Sequence, residues 1–267
     1  MSDILEELTA LRRRDAAQRE AEVPFDRMMR RAAEAPAPRD FAKAFQAVAR
    51  DAQPCQARII AELKRASPSE GLIREDFRPV ELARELAATG AAALSVLCEP
   101  HRFLGNEEYL RSVRAIVDVP ILYKDFLSTR YQIAAARAAG ADVVLLIVAV
   151  LDDPTLKDLL DFAHGVGLAA LVETHNEDEI ARAVQAGARI IGVNCRNLRN
   201  FSTDVSLLES LVGRIPRPCL RVAESGMHTA EAIRRAQAAG ADGFLVGTAL
   251  MRAERPGGKL KELLTNH

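Results

Sequence analysis

Ala139-Gly140-Ala141-Asp142-Val143-Val144-Leu145-Leu146-Ile147-Val148 holds the pattern that decides the fold. A helix ends in Ala-Gly and an apolar run follows at once. Glycine just past a helix end is the expected stop, because it tolerates a left-handed backbone. A short apolar run bounded by turn residues reads as a buried strand. The arrangement recurs at Thr89-Gly90-Ala91 before Ala92–Leu97, at Ala186-Gly187-Ala188 before Arg189–Asn194, and at Ala239-Gly240-Ala241-Asp242 before Gly243–Gly247. These glycines lie about 50 residues apart, and a βα unit takes about half that. A second strand therefore belongs in each gap, and Val119–Lys124, Leu168–Glu173 and Cys219–Glu224 supply it. With Ala57–Lys64 the count reaches eight. Amphipathic stretches between them, such as Pro79–Ala88 and Ser128–Ala139, indicate parallel strands covered by helices. Eight such units fit a (β/α)8 TIM barrel of the α/β class better than a doubly wound sheet.

About 50 residues precede the first strand, and they read as a helical extension. Ile4, Leu5, Leu8 and Leu11 form one apolar stripe. Asp40 is placed to cap a helix over Phe41–Arg50. Such helices cover a barrel either as packing accessories or as a substrate lid. The 267 residues are thus expected to form a single barrel domain, with strands and helices over 57–250 and the extension over 1–50.

Composition narrows the partners. The formal net charge is −1, which gives no electrostatic ground for nucleic-acid binding. Arg12-Arg13-Arg14 and Arg30-Arg31 sit among acidic neighbours and read as solvated helix faces. The longest apolar run, Val143–Leu151, is far short of the roughly 20 residues of a membrane-crossing helix. The N-terminus is acidic and has no signal-peptide core, so a cytoplasmic protein is expected. The four cysteines, Cys55, Cys98, Cys195 and Cys219, are scattered, which argues against a zinc site or disulfide framework. The histidines show no metal spacing, and His175 reads as a surface residue. Gly165-Val166-Gly167-Leu168-Ala169-Ala170 matches a dinucleotide fingerprint but precedes a strand, so it is not one. No metal or cofactor is expected.

Chemistry in such a barrel gathers where strands end. Ile59-Ile60-Ala61-Glu62-Leu63-Lys64 delivers a carboxylate and an ammonium to one side of its strand, because side chains alternate. Later strands end in Lys124, Glu173, Asn194 and Glu224. A single charge at a strand end is ordinarily a structural ion pair. Six polar groups on one rim point instead to acid–base chemistry, since packed lysines and carboxylates shift one another's proton affinity. Ser225-Gly226 and Gly247-Thr248 close the last two strands, where barrels commonly bind phosphate.

Ala61-Glu62-Leu63-Lys64-Arg65-Ala66-Ser67-Pro68-Ser69 followed by Gly71 resembles the signature of the indole-3-glycerol phosphate synthase family. The resemblance continues through Phe103-Leu104-Gly105, Lys124-Asp125-Phe126, Glu173, Gly192-Val193-Asn194-Cys195-Arg196-Asn197-Leu198, Ala223-Glu224-Ser225-Gly226 and Leu245-Val246-Gly247-Thr248. It covers the chain in order, extension included. Glu70 departs from it, standing where the family often has a basic residue. The resemblance implies conversion of 1-(2-carboxyphenylamino)-1-deoxyribulose 5-phosphate to indole-3-glycerol phosphate in tryptophan biosynthesis, without cofactor or metal. It implies Lys124 as the acid of ring closure, with Glu173 and Lys64 as candidates for the dehydration. Glu62, Asn194 and Glu224 would orient substrate and keep the lysines charged. Lys64, Ser225, Gly226, Gly247 and Thr248 would hold phosphate. Ser67, Pro68, Phe103, Phe126, Leu145, Arg196 and Leu198 would line the anthranilate slot. The partner is then a phosphorylated small molecule. A monomer is the simplest state, with other enzymes of the pathway as open partners.

Two other readings compete. A sugar-phosphate isomerase on the same barrel would typically use a cysteine–aspartate pair at the strand ends. A catalytically dead barrel serving as an assembly partner would be expected to lack some of Lys64, Lys124 and Glu173.

Overall fold

The structure is a computed structural model and describes residues 4–46, 57–196 and 205–265. The expected strands are present at β1 (Ile59–Leu63), β4 (Ala93–Leu97), β5 (Ile121–Lys124), β6 (Val143–Ile147), β7 (Ala169–Thr174), β8 (Ile190–Asn194), β9 (Leu220–Glu224) and β10 (Gly243–Val246). Between β1 and β4 lies a small antiparallel hairpin, β2 (Ala66–Ser67) with β3 (Gly71–Leu72), which the sequence pattern does not announce. The eight longer strands are parallel and close into a barrel in chain order, β1 pairing with both β4 and β10. All four glycine stops take the left-handed conformation, with φ between 91° and 111° at Gly90, Gly140, Gly187 and Gly240.

Helices follow the strands: α4 (Pro79–Thr89), α5 (Glu107–Arg114), α6 (Arg130–Ala138), α7 (Asp153–Gly165), α8 (Glu177–Ala186), α9 (Val205–Val212), α10 (Ala230–Ala238), α11 (Thr248–Arg252) and α12 (Pro256–Thr265). They come after α1 (Ile4–Glu22), α2 (Phe25–Glu34) and α3 (Phe41–Gln46) of the extension. Helix α6 begins later than Ser128, because the Thr129 hydroxyl accepts from Gln132 N and caps it. Asp40 caps α3, accepting from Lys43 N at 3.0 Å. Residues 47–50 of that expected helix lie outside the described residues.

Alternation divides the strands between two cores. Ile59, Ala61, Leu63, Leu94, Val96, Val144, Leu146 and Val172 face the helices. Ile60, Ala93, Leu122, Val143, Leu145, Leu171, Ile190, Val222 and Leu245 fill the barrel interior. The extension stoppers that interior at both ends. Leu5 and Leu8 of α1 join it at the rim where the strands finish. Phe41 joins it at the opposite end, its ring 4.7 Å from that of Phe45. Gly243, the first residue of β10, leaves the space Phe45 fills, since a Cβ there would come within 2.3 Å of the ring.

Arg12 overturns the expectation of a solvated arginine cluster. Its guanidinium grips Asp125 through Nε at 2.9 Å and Nη2 at 2.7 Å, and it also bonds Asp15. Asp125 is fully buried, so α1 is bolted beside Lys124 by a buried ion pair. Arg13, Arg14, Arg30 and Arg31 are exposed as expected, although Arg13 also reaches Ser128 Oγ. Asp142, which the sequence marks only as the edge of an apolar run, is a buried hub. It accepts from Ile121 N, Arg39 N and Arg114 Nη1. Among the described residues no helix is long and apolar enough to cross a membrane, and no cluster of His, Cys, Asp and Glu is arranged to hold a metal.

Candidate active site

The C-terminal ends of the strands surround a cleft of about 1030 Å³, measured out to its open mouth. Glu62, Lys64, Lys124, Glu173, Asn194 and Glu224 all line it, together with Ser225, Gly226, Gly247 and Thr248. Ser67, Pro68, Phe103, Phe126, Leu145 and Arg196 of the expected set also line the cleft wall. Leu198 lies outside the described residues.

Lys124 is the hub. Its ammonium donates to Glu173 Oε2 at 3.1 Å and to Glu224 Oε2 at 2.8 Å. Burial alone would strip its charge, but Glu224, Glu173 and Glu62 outweigh that cost and push its pKa up. Lys64 sits 2.9 Å from Glu62 Oε1, and burial of Glu62 is overcome by Lys64 and Lys124, so its carboxyl titrates below the ordinary range. The two carboxylates on Lys124 are not equivalent. Burial pushes Glu224 up to about 8, against the pull of Lys124, with the nearby charge of Glu173 adding to the rise. Its Oε1 has no hydrogen-bond partner among the described residues. Glu173 is equally buried, yet Lys124, His175 and Asn194 together hold it well below the ordinary range. Two carboxylates sharing one ammonium in a dry site do not both ionise easily, and the one with more donors and positive charge around it keeps the charge.

Strand register produces this geometry. Asn194 pairs with Glu224 across β8 and β9, and Glu173 with Gly192 across β7 and β8. A Cβ on Gly192 would fall 2.1 Å from Glu224 Oε1, so that glycine makes the room in which Glu224 folds inward. Asn194 Nδ2 donates to Glu173 Oε1 at 3.1 Å, while its Oδ1 accepts from Ser225 Oγ at 2.7 Å. One amide thus ties the acid–base cluster to the loop after β9. Ser225 and Gly226 both have left-handed backbone, φ 65° and 73°. The hydroxyl bond to Asn194 helps hold the non-glycine Ser225 in that costly conformation. Gly247 has no room for a side chain either: a Cβ would lie 2.4 Å from Glu62 Oε1 and 3.1 Å from Lys64 Nζ. It stands at the N-terminus of α11, whose first amides have no intrahelical acceptors.

The opposite wall is apolar. Phe103 and Phe126 face each other with centroids 6.1 Å apart, beside Leu145. The fully buried Glu99 organises this wall, accepting from the backbone N–H groups of His101, Arg102 and Phe103 at 2.7–2.9 Å. Arg196 Nη1 donates to Ser69 Oγ at 2.6 Å, bridging the rim to the loop after β1. Glu70, on that loop, pairs with Arg252 and not with the cleft.

Several residues that line the cleft were not among the expected site residues. Ile4, Leu5 and Leu8 line the cleft from α1, and Met227 and His228 line it beyond Gly226. The apolar stripe of α1 was legible, but not where it docks. Cys195, beside Asn194, is buried. His175, expected at the surface, is largely buried between Glu173 and Glu179. Glu179 lies four residues further on, in the first turn of α8, and that closeness in sequence was the available signal.

Comparison with known proteins places this arrangement. The family model described as "Indole-3-glycerol phosphate synthase" matches residues 5–263. A protein of Campylobacter jejuni subsp. doylei named indole-3-glycerol phosphate synthase is 44% identical over 262 residues, covering 98% of this chain and 100% of that one. One of the same name from Roseiflexus castenholzii is 44% identical over 272 residues, covering 98% of each chain. Among solved structures, orotidine 5'-phosphate decarboxylase from Pyrococcus horikoshii OT3 superposes with a TM-score of 0.59 at 15% identity, over 77% of this chain and 97% of that one. Thiamine phosphate pyrophosphorylase from Pyrococcus furiosus gives 0.58 at 19% identity, over 78% of this chain and 93% of that one. At such identities these two speak for the barrel alone.

Proposed function

This chain belongs to the indole-3-glycerol phosphate synthase family, and from that premise we propose how its buried charges divide the work. The reaction closes the ring of 1-(2-carboxyphenylamino)-1-deoxyribulose 5-phosphate, then releases carbon dioxide and water to leave indole-3-glycerol phosphate. It is a carboxy-lyase step of tryptophan biosynthesis. Ring closure needs an acid at the ribulose carbonyl while the aryl carbon attacks it. Lys124 is that acid: it is charged, buried and held by two carboxylates at the base of the cleft. The new bond places the carboxylate on a saturated carbon, and loss of carbon dioxide restores the aromatic ring. Dehydration then needs a proton given to the departing hydroxyl and another removed from the ring. Lys64 and Glu173 are that pair, with Glu173 the ionised carboxylate and Glu62 holding Lys64 in place.

Binding follows the two walls. Phe103, Phe126, Pro68 and Leu145, with Ser67, Arg196 and Leu198 beside them, take the anthranilate ring. Ser225, Gly226, Gly247 and Thr248 take the phosphate on loop and helix-end amides, with Lys64 supplying charge. The enzyme acts in the cytoplasm on a small phosphorylated substrate.

The observation that carries this assignment is the ammonium of Lys124 shared by two buried carboxylates, of which Glu173 has a further donor in Asn194 and Glu224 Oε1 has none among the described residues. Purified protein incubated with the carboxyphenylamino substrate, without added metal, is expected to generate indole fluorescence. No product at high enzyme concentration would reject it.

A further inference from the structure

His175 lies just past the end of β7 and is not among the residues that wall the cleft. Its imidazole is largely buried, with 16% of the side chain exposed, and carboxylates flank it on both sides. Nδ1 is 3.1 Å from Glu179 Oε2, and that oxygen also accepts from His175 N at 2.8 Å. Nε2 has no hydrogen-bond partner among the described residues, but it lies 3.4 Å from Glu173 Oε1. Glu179 is itself fixed: Asn176 Nδ2 donates to its Oε1 at 2.9 Å, and Glu179 N donates to Asn176 Oδ1 at 2.9 Å. The clamp is therefore built from the β7–α8 turn and cannot swing away independently of it.

We propose that His175, gripped by Glu179, is a positioning residue that makes Glu173, and not Glu224, the ionised base beside Lys124. Both carboxylates are buried and both accept from Lys124. The asymmetry between them comes from the far side. Glu173 Oε1 faces His175 and Asn194, whereas Glu224 Oε1 faces no donor. A cation at that position settles which of two coupled carboxylates holds the negative charge. The charged groups around His175 are Glu173 on β7 and Glu179 on α8. Behind Glu173 stand Lys124 on β5, Glu224 on β9 and Glu62 on β1. With two carboxylates against it, burial is outweighed and His175 titrates at about 10, so it is an imidazolium throughout the neutral range.

This role rests on the reading of Glu173 as a base, and the test separates the two. The parent is assayed first; absence of turnover there fells the base and this role with it. With an active parent, His175→Ala and His175→Gln are expected to lower kcat by about tenfold at a pH one unit below the shifted acid limb, with KM within about twofold. The acid limb of kcat/KM should move up by about 1–3 pH units, the effect of losing one adjacent opposite charge. Glu179→Gln, which leaves the imidazole in place, should move the limb in the same direction by less. A purely structural histidine would lower stability and leave the limb where it was. If His175→Ala fails to fold, Glu179→Gln and the imidazole itself still decide. In the ¹⁵N-histidine-labelled parent, His175 should carry protons on both ring nitrogens at pH 8. A neutral ring there, or an unmoved limb with unchanged kcat in the variants, overturns the proposal.

Discussion

Replacing Lys124 by Met keeps the aliphatic stem and removes the ammonium that Glu173 and Glu224 share at 3.1 and 2.8 Å. Two separate losses follow. Loss of a positioned proton donor costs about 10²–10⁴ in rate, roughly 3–5 kcal/mol of transition-state stabilisation. The second loss is electrostatic. Coulomb attraction at 3.1 Å is about 5 kcal/mol at an effective dielectric near 20, equivalent to roughly 4 pH units on Glu173. Glu173 would climb back into or above the ordinary carboxylate range, although His175 and Asn194 remain. The fold should survive. Glu224, pushed up to about 8, already holds a proton near neutrality, while Glu173 and Glu62 keep His175 and Lys64 as partners.

The two losses respond differently to pH. A base that has merely become too weakly acidic to stay ionised recovers as pH rises, whereas a missing donor does not. We expect kcat/KM at pH 7 to fall at least about 100-fold, with less than about tenfold recovery by pH 9. Turnover is read by indole fluorescence, and integrity by circular dichroism and the urea midpoint. Turnover within about threefold of the parent at neutrality, or full recovery at pH 9, would refute Lys124 as the acid.

Other measurements probe the rest of the site. Gly247→Ala drives a methyl to within 2.4 Å of Glu62 Oε1, so the Glu62–Lys64 pair must shift; activity should drop by about 10²-fold or more with little change in thermal midpoint, and near-parent kinetics would count against this packing. Arg12→Ala strands the buried Asp125. It should cost about 3 kcal/mol by urea unfolding, the low end for breaking a buried pair, because burial already pushes Asp125 up and it can take a proton; KM should rise as α1 loosens from the rim. Inorganic phosphate should compete with substrate at roughly tens of millimolar, and purely non-competitive inhibition would remove the phosphate from the Ser225 and Gly247 loops. His175 gains proton affinity on folding, so its contribution to stability is full below about 6.5 and is lost as pH rises through about 10. The stability gap between parent and His175→Ala, at most about 5 kcal/mol, should therefore close over that window, and a gap that widens with pH would contradict the assignment.

The barrel was legible because its signals are local. Each glycine stop is set by backbone sterics at one residue, and each strand by a continuous apolar run. The charged rim was legible for the same reason: parity along one strand puts Glu62 and Lys64 on the same side whatever the neighbouring strands do. What stayed hidden depends on distant segments meeting. Arg12 finds Asp125 across 113 residues, and no local pattern distinguishes it from Arg14, which is exposed. Asp142 looked like the polar edge of a strand because its three donors come from Ile121, Arg39 and Arg114. His175 failed differently. Its partner Glu179 is close in sequence, but a loop position after a strand carries no periodicity to reveal burial.

Charge balance links these residues into one device. From the rim inward the ionised groups alternate in sign: Lys64 beside Glu62, Lys124 beside Glu173, His175 beside Glu173 and Glu179. Glu224 alone lacks a cation of its own, and it is the carboxyl that holds a proton near neutrality. Each cation from Lys64 to His175 is thus matched by one carboxylate before any ligand enters. A substrate bringing a carboxylate and a phosphate adds negative charge to a site already balanced, which favours protons on every group near it. Lys124 is then held more firmly as an ammonium at the carbonyl it must protonate. Carbon dioxide leaves as a neutral molecule: its bonding pair stays behind, restores the aromatic ring and quenches the iminium that ring closure put on nitrogen, so the total charge of the site is unchanged. Lys124, having given its proton to the carbonyl oxygen, no longer offsets Glu173, and Glu173 is the stronger base at the stage when dehydration requires Lys64 to act as acid.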